Sequence, residues 1–386
     1  MKKMLHICLI ALAALAGCAK EAPVQTSLQR EDLIRWDTSM DDTKVYPSGT
    51  EAYPTSSTFG SYAMLYYGTS ESDWPSAHYT AYIAGLQVRY FGVSTPFWST
   101  ANEYYWPTTT NSRLHFASFS PYETLHNKAV YGGQARGIYI PNYTVPADKV
   151  DQHYTTDAAS NVLYDDDLMV SNEYDVSCEW MQDHDVSTYA FTGVPTLFRH
   201  IMTRINVYFK QNDDFSVDYY DSQTISIRKL KFNNIYTRGT YTALTSGVQS
   251  DTWSNQGAQV DSAILFKSNV GTNAIALKSS GDSTRVVSGY IAIPQTIAAS
   301  TQQVEVTYRI TSTVSGYLFT EDITEMAYLT AAGKNWVPGT DLTYTITLSA
   351  IRTQPILFEA TCDAWKDDIV SGNEVPGQNF HLTPED

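Results

Sequence analysis

Charge is scarce in this sequence. Only 17% of its 386 residues are Asp, Glu, Lys or Arg, and no segment carries the long amphipathic pattern from which helical proteins are built. Basic residues are scarcer than acidic ones, 25 against 41, giving a net charge of −16. A surface that negative is repelled by phosphate backbones and anionic lipid heads, which argues against nucleic acid as a partner. Cysteine occurs four times, too sparsely for a disulfide framework. No apolar run reaches the roughly 18 residues that a bilayer-spanning helix needs. Catalytic signatures are also missing: His-Glu-x-x-His, Gly-x-Ser-x-Gly, a Walker loop and a dinucleotide-binding Gly-x-Gly-x-x-Gly are all absent. At Gly333-Lys334, where a phosphate loop could be sought, Tyr328 stands in place of the first glycine. None of the scattered histidines has metal-ligand spacing to a second His or Cys. The reading is of a protein that is not an enzyme and has no catalytic residues, no metal and no cofactor. What is abundant is aromatic surface. Aromatics make up 13% of the chain and Tyr alone supplies 28 positions, a composition that suits pleated, half-buried strands and indicates an all-β fold.

The N-terminus reads as an export signal. Lys2 and Lys3 precede an apolar run from Met4 to Ala16, the length of a secretion-signal core. It closes on Leu15-Ala16-Gly17-Cys18, which resembles the lipobox of bacterial lipoproteins, with small residues for the signal peptidase and a sulfur to carry diacylglycerol. Residues 1–17 are therefore expected to be removed and Cys18 lipidated, a palmitate-bearing attachment to the outer membrane. The expected mature charge is 23 − 41 = −18, because Lys2 and Lys3 leave with the signal. Residues 18–32 are polar and aperiodic, as a tether would be.

From Leu33 onward, strand patterns recur between turn signals: Phe59 to Tyr67, Arg113 to Phe119, Gly137 to Ile140, Ile225 to Phe232, Val286 to Ile293, Val304 to Ile310, Leu342 to Leu348 and Ile356 to Trp365. In Val304-Glu305-Val306-Thr307-Tyr308-Arg309-Ile310 every second residue is apolar, and Tyr344, Ile346 and Leu348 repeat the pattern, so each strand buries one face. In Ile225 to Phe232 the phase slips by one residue, the mark of a β-bulge. Val194 to Phe209 stays ambiguous: Leu197, Ile201 and Ile205 suit a helix, whereas Ile205, Val207 and Phe209 suit a strand. Gly193 and Pro195 interrupt the pattern near the middle of the chain, where a domain boundary is expected.

Isolated residues invite functional readings. His200 sits in an apolar segment, which favours a satisfied core histidine. Asp165-Asp166-Asp167 lacks the spacing and glycine of a calcium loop and reads as a solvated turn. Tyr104-Tyr105-Trp106 and Trp253 are the first places to look for a carbohydrate platform, although packing is the commoner use of aromatics in β-sandwiches. Cys362 shares a strand face with Ile356, Phe358 and Ala360, as a buried free thiol would, and whether it pairs with Cys178 stays open.

Several segments together resemble the fimbrillin family of Bacteroidales, the type V pilins. The likeness is carried first by Leu33-Ile34-Arg35-Trp36-Asp37-Thr38, Phe59-Gly60-Ser61-Tyr62-Ala63, Tyr105-Trp106-Pro107, Leu114 to Pro121 and Asp167-Leu168-Met169. It continues through Val194 to His200, Ile293-Pro294-Gln295-Thr296, Trp336-Val337-Pro338-Gly339, Tyr344-Thr345-Ile346 and Asp363-Ala364-Trp365. The resemblance implies two transthyretin-like β-sandwich domains in tandem, here expected at 33–193 and 194–386. It also implies assembly with other pilin subunits by donor-strand exchange: a protease cuts after a basic residue beyond the first strand, the strand leaves, and a neighbour's strand takes its place. Lys44, after Asp41-Asp42-Thr43, is the preferred cut, with Arg30 and Arg35 as alternatives. The charged pair in Ala19-Lys20-Glu21 lies where some lipoproteins of this phylum carry a surface-export signal. The functional reading is a surface-exposed fimbrillin-type pilus subunit or adhesin-like component of a fimbrium, acting in cell adhesion toward a host or bacterial ligand. The alternative is a non-polymerising, glycan-binding outer-membrane lipoprotein.

Overall fold

Period-two alternation becomes paired strands throughout the computed structural model, which describes residues 33–40, 51–92, 97–146, 167–177, 193–212, 220–255, 261–268, 274–278, 282–298, 301–349 and 356–364. The signal, the tether, Lys44, Asp165, Asp166 and Cys178 lie outside them. Strands β1 (Trp36–Met40), β2 (Glu51–Ala52), β3 (Phe59–Tyr67), β4 (Tyr79–Phe91), β5 (Phe97–Thr100) and β6 (Ser112–Ser120) precede a short helix, α1 (Tyr122–Leu125). Next come β7 (Val130–Tyr131), β8 (Ile138–Thr144), β9 (Met169–Ser171), β10 (Tyr174–Val176) and β11 (Val194–His200). The remainder forms β12 (Thr203–Gln211), β13 (Ser222–Ile235), β14 (Arg238–Thr245), β15 (Val248–Asn255), β16 (Asp261–Lys267) and β17 (Ile275–Ala276). Last are β18 (Thr284–Ala292), β19 (Gln303–Val314), β20 (Tyr317–Tyr328), β21 (Thr340–Leu348) and β22 (Leu357–Ala364).

The first sheet runs β10-β6-β3-β4-β5-β1-β11-β9, with β2 added on β1, and β9 pairs back onto β6. Its pairings therefore close into a ring around a core that includes Ile34, Trp36, Phe59, Trp98, Phe116 and Phe198. A second sheet, β15-β14-β8-β7, packs on the outward face of β6 and β9. There Phe119 and Val170 meet Ile140, Tyr143 and Tyr241. Strand β6 is thus covered on both sides. At the far end β18-β12-β21-β22 faces β16-β13-β19-β20, and side chains of both sheets share one core, as in a sandwich.

Local patterning is realised closely. Alternate residues of β19 and β21 are buried, and the phase slip in β13 is a bulge, with register shifting between Ile227 and Lys229. The ambiguous stretch is two strands, β11 and β12, and no helix. The sheets, however, do not divide at 193/194. Strand β11, expected in the second domain, belongs to the first sheet, and β14 pairs with β8 across the expected boundary. Gly193 has a different reason from a linker's. A Cβ there would lie 2.6 Å from the carbonyl oxygen of Arg35 and 2.8 Å from the carbonyl carbon of Trp36, so glycine allows β1 to approach. Pro195 is tolerated because the amide of Val194 faces β1, donating to Arg35 O at 2.7 Å. The missing N–H of residue 195 falls on the opposite side, where pairing to β9 begins only at Phe198.

Candidate functional site

The first strand occupies an interior seat. Strand β1 runs parallel to β11 in unbroken register from Trp36↔Val194 to Met40↔Phe198. On its other side it meets β5 at Trp36↔Trp98 and β2 at Ser39↔Ala52. Just upstream, Ile34 donates its amide to Tyr104 O at 2.8 Å, and Leu33 bridges to Tyr105. Alternation sends Ile34 and Trp36 inward, each 1% exposed. The Trp36 indole stands edge-on to Phe59 and Phe116, and its Nε1–H donates to Ser61 Oγ at 3.1 Å. Ser61 also accepts from the Ser118 hydroxyl at 2.9 Å, so the polar atom at the bottom of the pocket is satisfied.

The outward residue between them, Arg35, places its guanidinium 4.8 Å from the Phe97 ring centroid. Phe97 stacks on Phe91 at 5.6 Å, and Arg89 covers Phe91 at 4.8 Å. Two cations thus bracket two rings, an arrangement stabilised by the ring quadrupoles.

Both walls of the seat are held by contacts that do not involve β1. Strand β5 pairs with β4 from Val88↔Thr100 to Phe91↔Phe97. Strand β11 pairs with β9 and is clamped from outside: Arg199 donates from Nε and Nη2 to Asp251 at 2.9 and 2.7 Å and from Nη1 to Asn172 at 3.0 Å. Tyr241 adds a 2.6 Å bond to Asp251. Burial works against the Asp251 charge, but pairing with Arg199 outweighs it and holds the carboxyl below its usual range. The same end of β11 is also fixed by His200, whose Nδ1 lies 2.9 Å from the Asp167 carboxylate. His200 is therefore a satisfied core histidine, and Asp167 is its buried partner where a solvated turn was expected.

The remaining candidates resolve into packing. Trp106 is 5% exposed and meets Phe116, the Tyr105 carbonyl accepts from Tyr82 at 2.6 Å, and Tyr104 packs on Tyr82. Trp253 lies against Tyr143 and Tyr241 and donates to Ile201 O at 2.6 Å. Cys362 is a free, half-buried thiol packed against the C-terminal core. Among the described residues no three His, Cys, Asp or Glu side chains form a metal-binding group, and no helix is long and apolar enough to cross a membrane.

Sequence reasoning missed one buried charge cluster. His115 lies with Nδ1 3.1 Å from Asp175 and Nε2 2.8 Å from Glu173, and its ring stacks on Trp74 at 3.9 Å. The cluster ties the β9–β10 segment to β6. Its signal in the sequence was the pair Glu173-x-Asp175, two carboxylates two positions apart at the start of the short strand β10.

A fimbrillin-like family model matches residues 43–365, from just after β1 to just after β22. The chain belongs to the fimbrillin-like family. A fimbrial protein from Bacteroides vulgatus shares 16% identity at a TM-score of 0.57, over 86% of this fimbrillin-like chain and 99% of its own. Two putative cell adhesion proteins align more loosely. The one from Bacteroides uniformis has a TM-score of 0.44 and 16% identity over 88% of this chain and all of its own. The one from Bacteroides ovatus has a TM-score of 0.42 and 14% identity over 86% and 98%. No curated protein matches the sequence.

Proposed function

We propose that this fimbrillin-like chain is a surface-exposed lipoprotein, a pilus subunit or adhesin-like pilus component. In this reading it is lipidated at Cys18 and cut after Lys44, and its first strand is then replaced by a strand from another pilin. The observation that carries this reading is the seat of β1. The strand is interior, so its departure leaves unpaired backbone along β11 and at β5 and β2, together with two apolar pockets. A donor strand would recover a hydrogen-bond ladder and side-chain burial at once. The walls are fastened to β4, β9 and β15, which supports a groove that keeps its shape when vacated.

The seat also ranks the basic residues. Cutting after Arg30 leaves the strand attached to the fold, and Arg35 is embedded in the paired strand and stacked on Phe97. Lys44 follows the last paired residue, Met40, by four positions, so cleavage there detaches strand, tether and lipid together. The glycan-binding alternative loses support, because the aromatic platforms named for it are engaged in packing.

Limited trypsin treatment of the refolded precursor should release a stable fragment beginning at Val45 that forms denaturant-resistant oligomers with neighbouring pilins, and Lys44→Ala should block both. In cells, radiolabelled palmitate should mark the wild type and not Cys18→Ala. A Val45 fragment that stays monomeric at high concentration, alone and with neighbouring pilins, would refute strand exchange for this chain.

A further inference from the structure

We propose that the seat of β1 selects its occupant by three consecutive side chains, an aliphatic residue, a guanidinium and an indole. We propose further that the replacing strand comes from a different polypeptide that carries this triplet. The inference rests on the strand replacement proposed above and adds what the replacing strand must look like.

An extended strand presents successive side chains to opposite faces, so the seat reads both faces of whatever lies in it. On the inner face, position 34 takes a side chain that is fully enclosed, and only an apolar one is free of a desolvation penalty there. Position 36 has a shape and a polarity. Its walls are the edges of Phe59 and Phe116, and at its bottom Ser61 Oγ awaits a donor 3.1 Å from the indole nitrogen. Phe would fill part of this volume and bring no N–H. A Tyr hydroxyl projects along the ring axis rather than from the side of a fused ring. Indole satisfies both requirements.

On the outer face, position 35 lies against Phe97, which itself rests on Phe91 and Arg89. A planar cation completes this stack, and an acidic residue would face the negative ring face. The ladder adds direction, since the occupant must run parallel to β11 to bring its three side chains into register with Val194 and Trp98.

A processed second copy does not meet these requirements. Of the eight Trp in the sequence, only Trp36 follows an aliphatic residue and a basic one. Trp365, the last tryptophan in the sequence, follows Asp363-Ala364. Once residues up to Lys44 have gone, the triplet is absent from residues 45–386, so another polypeptide must supply it.

The test uses the full chain cleaved after Lys44 and fluorescein-labelled synthetic peptides, read by anisotropy. The peptide of residues 33–40 should exchange into the seat. Its Trp36→Phe version should bind about tenfold more weakly, the scale of a lost buried hydrogen bond plus lost packing. The Arg35→Glu version should be weakened several-fold and the Arg35→Lys version less, because ammonium keeps the charge without the plane. In the acceptor, Ser61→Ala should narrow the gap between the Trp and Phe peptides. A peptide of residues 356–365 from this chain should not enter. Equal binding of the Trp36→Phe and Arg35→Glu peptides to that of the parent, or comparable entry of the 356–365 peptide, would overturn the triplet reading and leave strand replacement standing. Failure of every peptide, including 33–40, would overturn both.

Discussion

Replacing His115 by Phe should flatten the pH dependence of stability on the alkaline side. The imidazole is 4% exposed, and its two carboxylate neighbours, Glu173 and Asp175, are 12% and 13% exposed. With a carboxylate at each nitrogen, both must donate, so the ring is held as imidazolium. Burial is the largest single influence and disfavours that charge, but the hydrogen bonds and charges of Asp175 and Glu173 overcome it and raise the pKa above 6.5. The surroundings add Arg113 on the same strand, Tyr66 on β3, Tyr131 on β7 and Glu71 beyond Arg113. The folded state binds this proton more tightly than the unfolded chain does. The resulting stabilisation is complete below about pH 6.5 and is lost as pH rises through the folded pKa. Phe preserves the stack on Trp74 but removes the cation held between two nearly buried carboxylates. Breaking a buried pair in this way costs about 3–5 kcal/mol, and the residual exposure of both acids points to the lower end, about 3 kcal/mol. Urea denaturation at pH 6 and pH 9 should show wild-type stability falling across the interval and the variant, weaker at pH 6, falling much less. If wild type and variant lose the same stability between the two pH values, the doubly bracketed imidazolium is wrong.

Two further outcomes follow from the walls of the seat. Asp251→Asn should cost about 3 kcal/mol at neutral pH by leaving Arg199 buried without its charge partner. Since the Asp251 carboxyl sits below its ordinary 3.8, its stabilisation is present above that pH and lost as pH falls through the folded value, so acid denaturation curves of the variant should be flatter. Gly193→Ala places a methyl 2.6 Å from Arg35 O and should push β1 from β11 at a cost of about 1–3 kcal/mol. Hydrogen exchange at the Val194 amide, which donates to Arg35 O, is expected to accelerate; unchanged exchange would show that the two strands are not in such close contact.

The sequence by itself determined whatever a strand decides locally. Alternation in β19 and β21 named the buried face, and the slipped phase in Ile225 to Phe232 located the bulge, because the period of two is a property of the extended backbone and needs no partner to be read. Aromatic abundance with scarce charge gave the all-β class for the same reason. The tertiary structure decided which strands meet. Strands β6 and β11 are buried on both faces, so neither has a polar face from which sequence could infer a neighbour. Gly193 resembled a linker because the strand that demands it, β1, lies far upstream in the chain. His115 and Glu173 stand 58 positions apart and Trp36 and Ser61 stand 25 apart. Such pairs arise only when the β9–β10 segment pairs with β6, closing the ring and setting β1 opposite β3, and the free energy of that closure depends on the whole set of pairings rather than on any one segment.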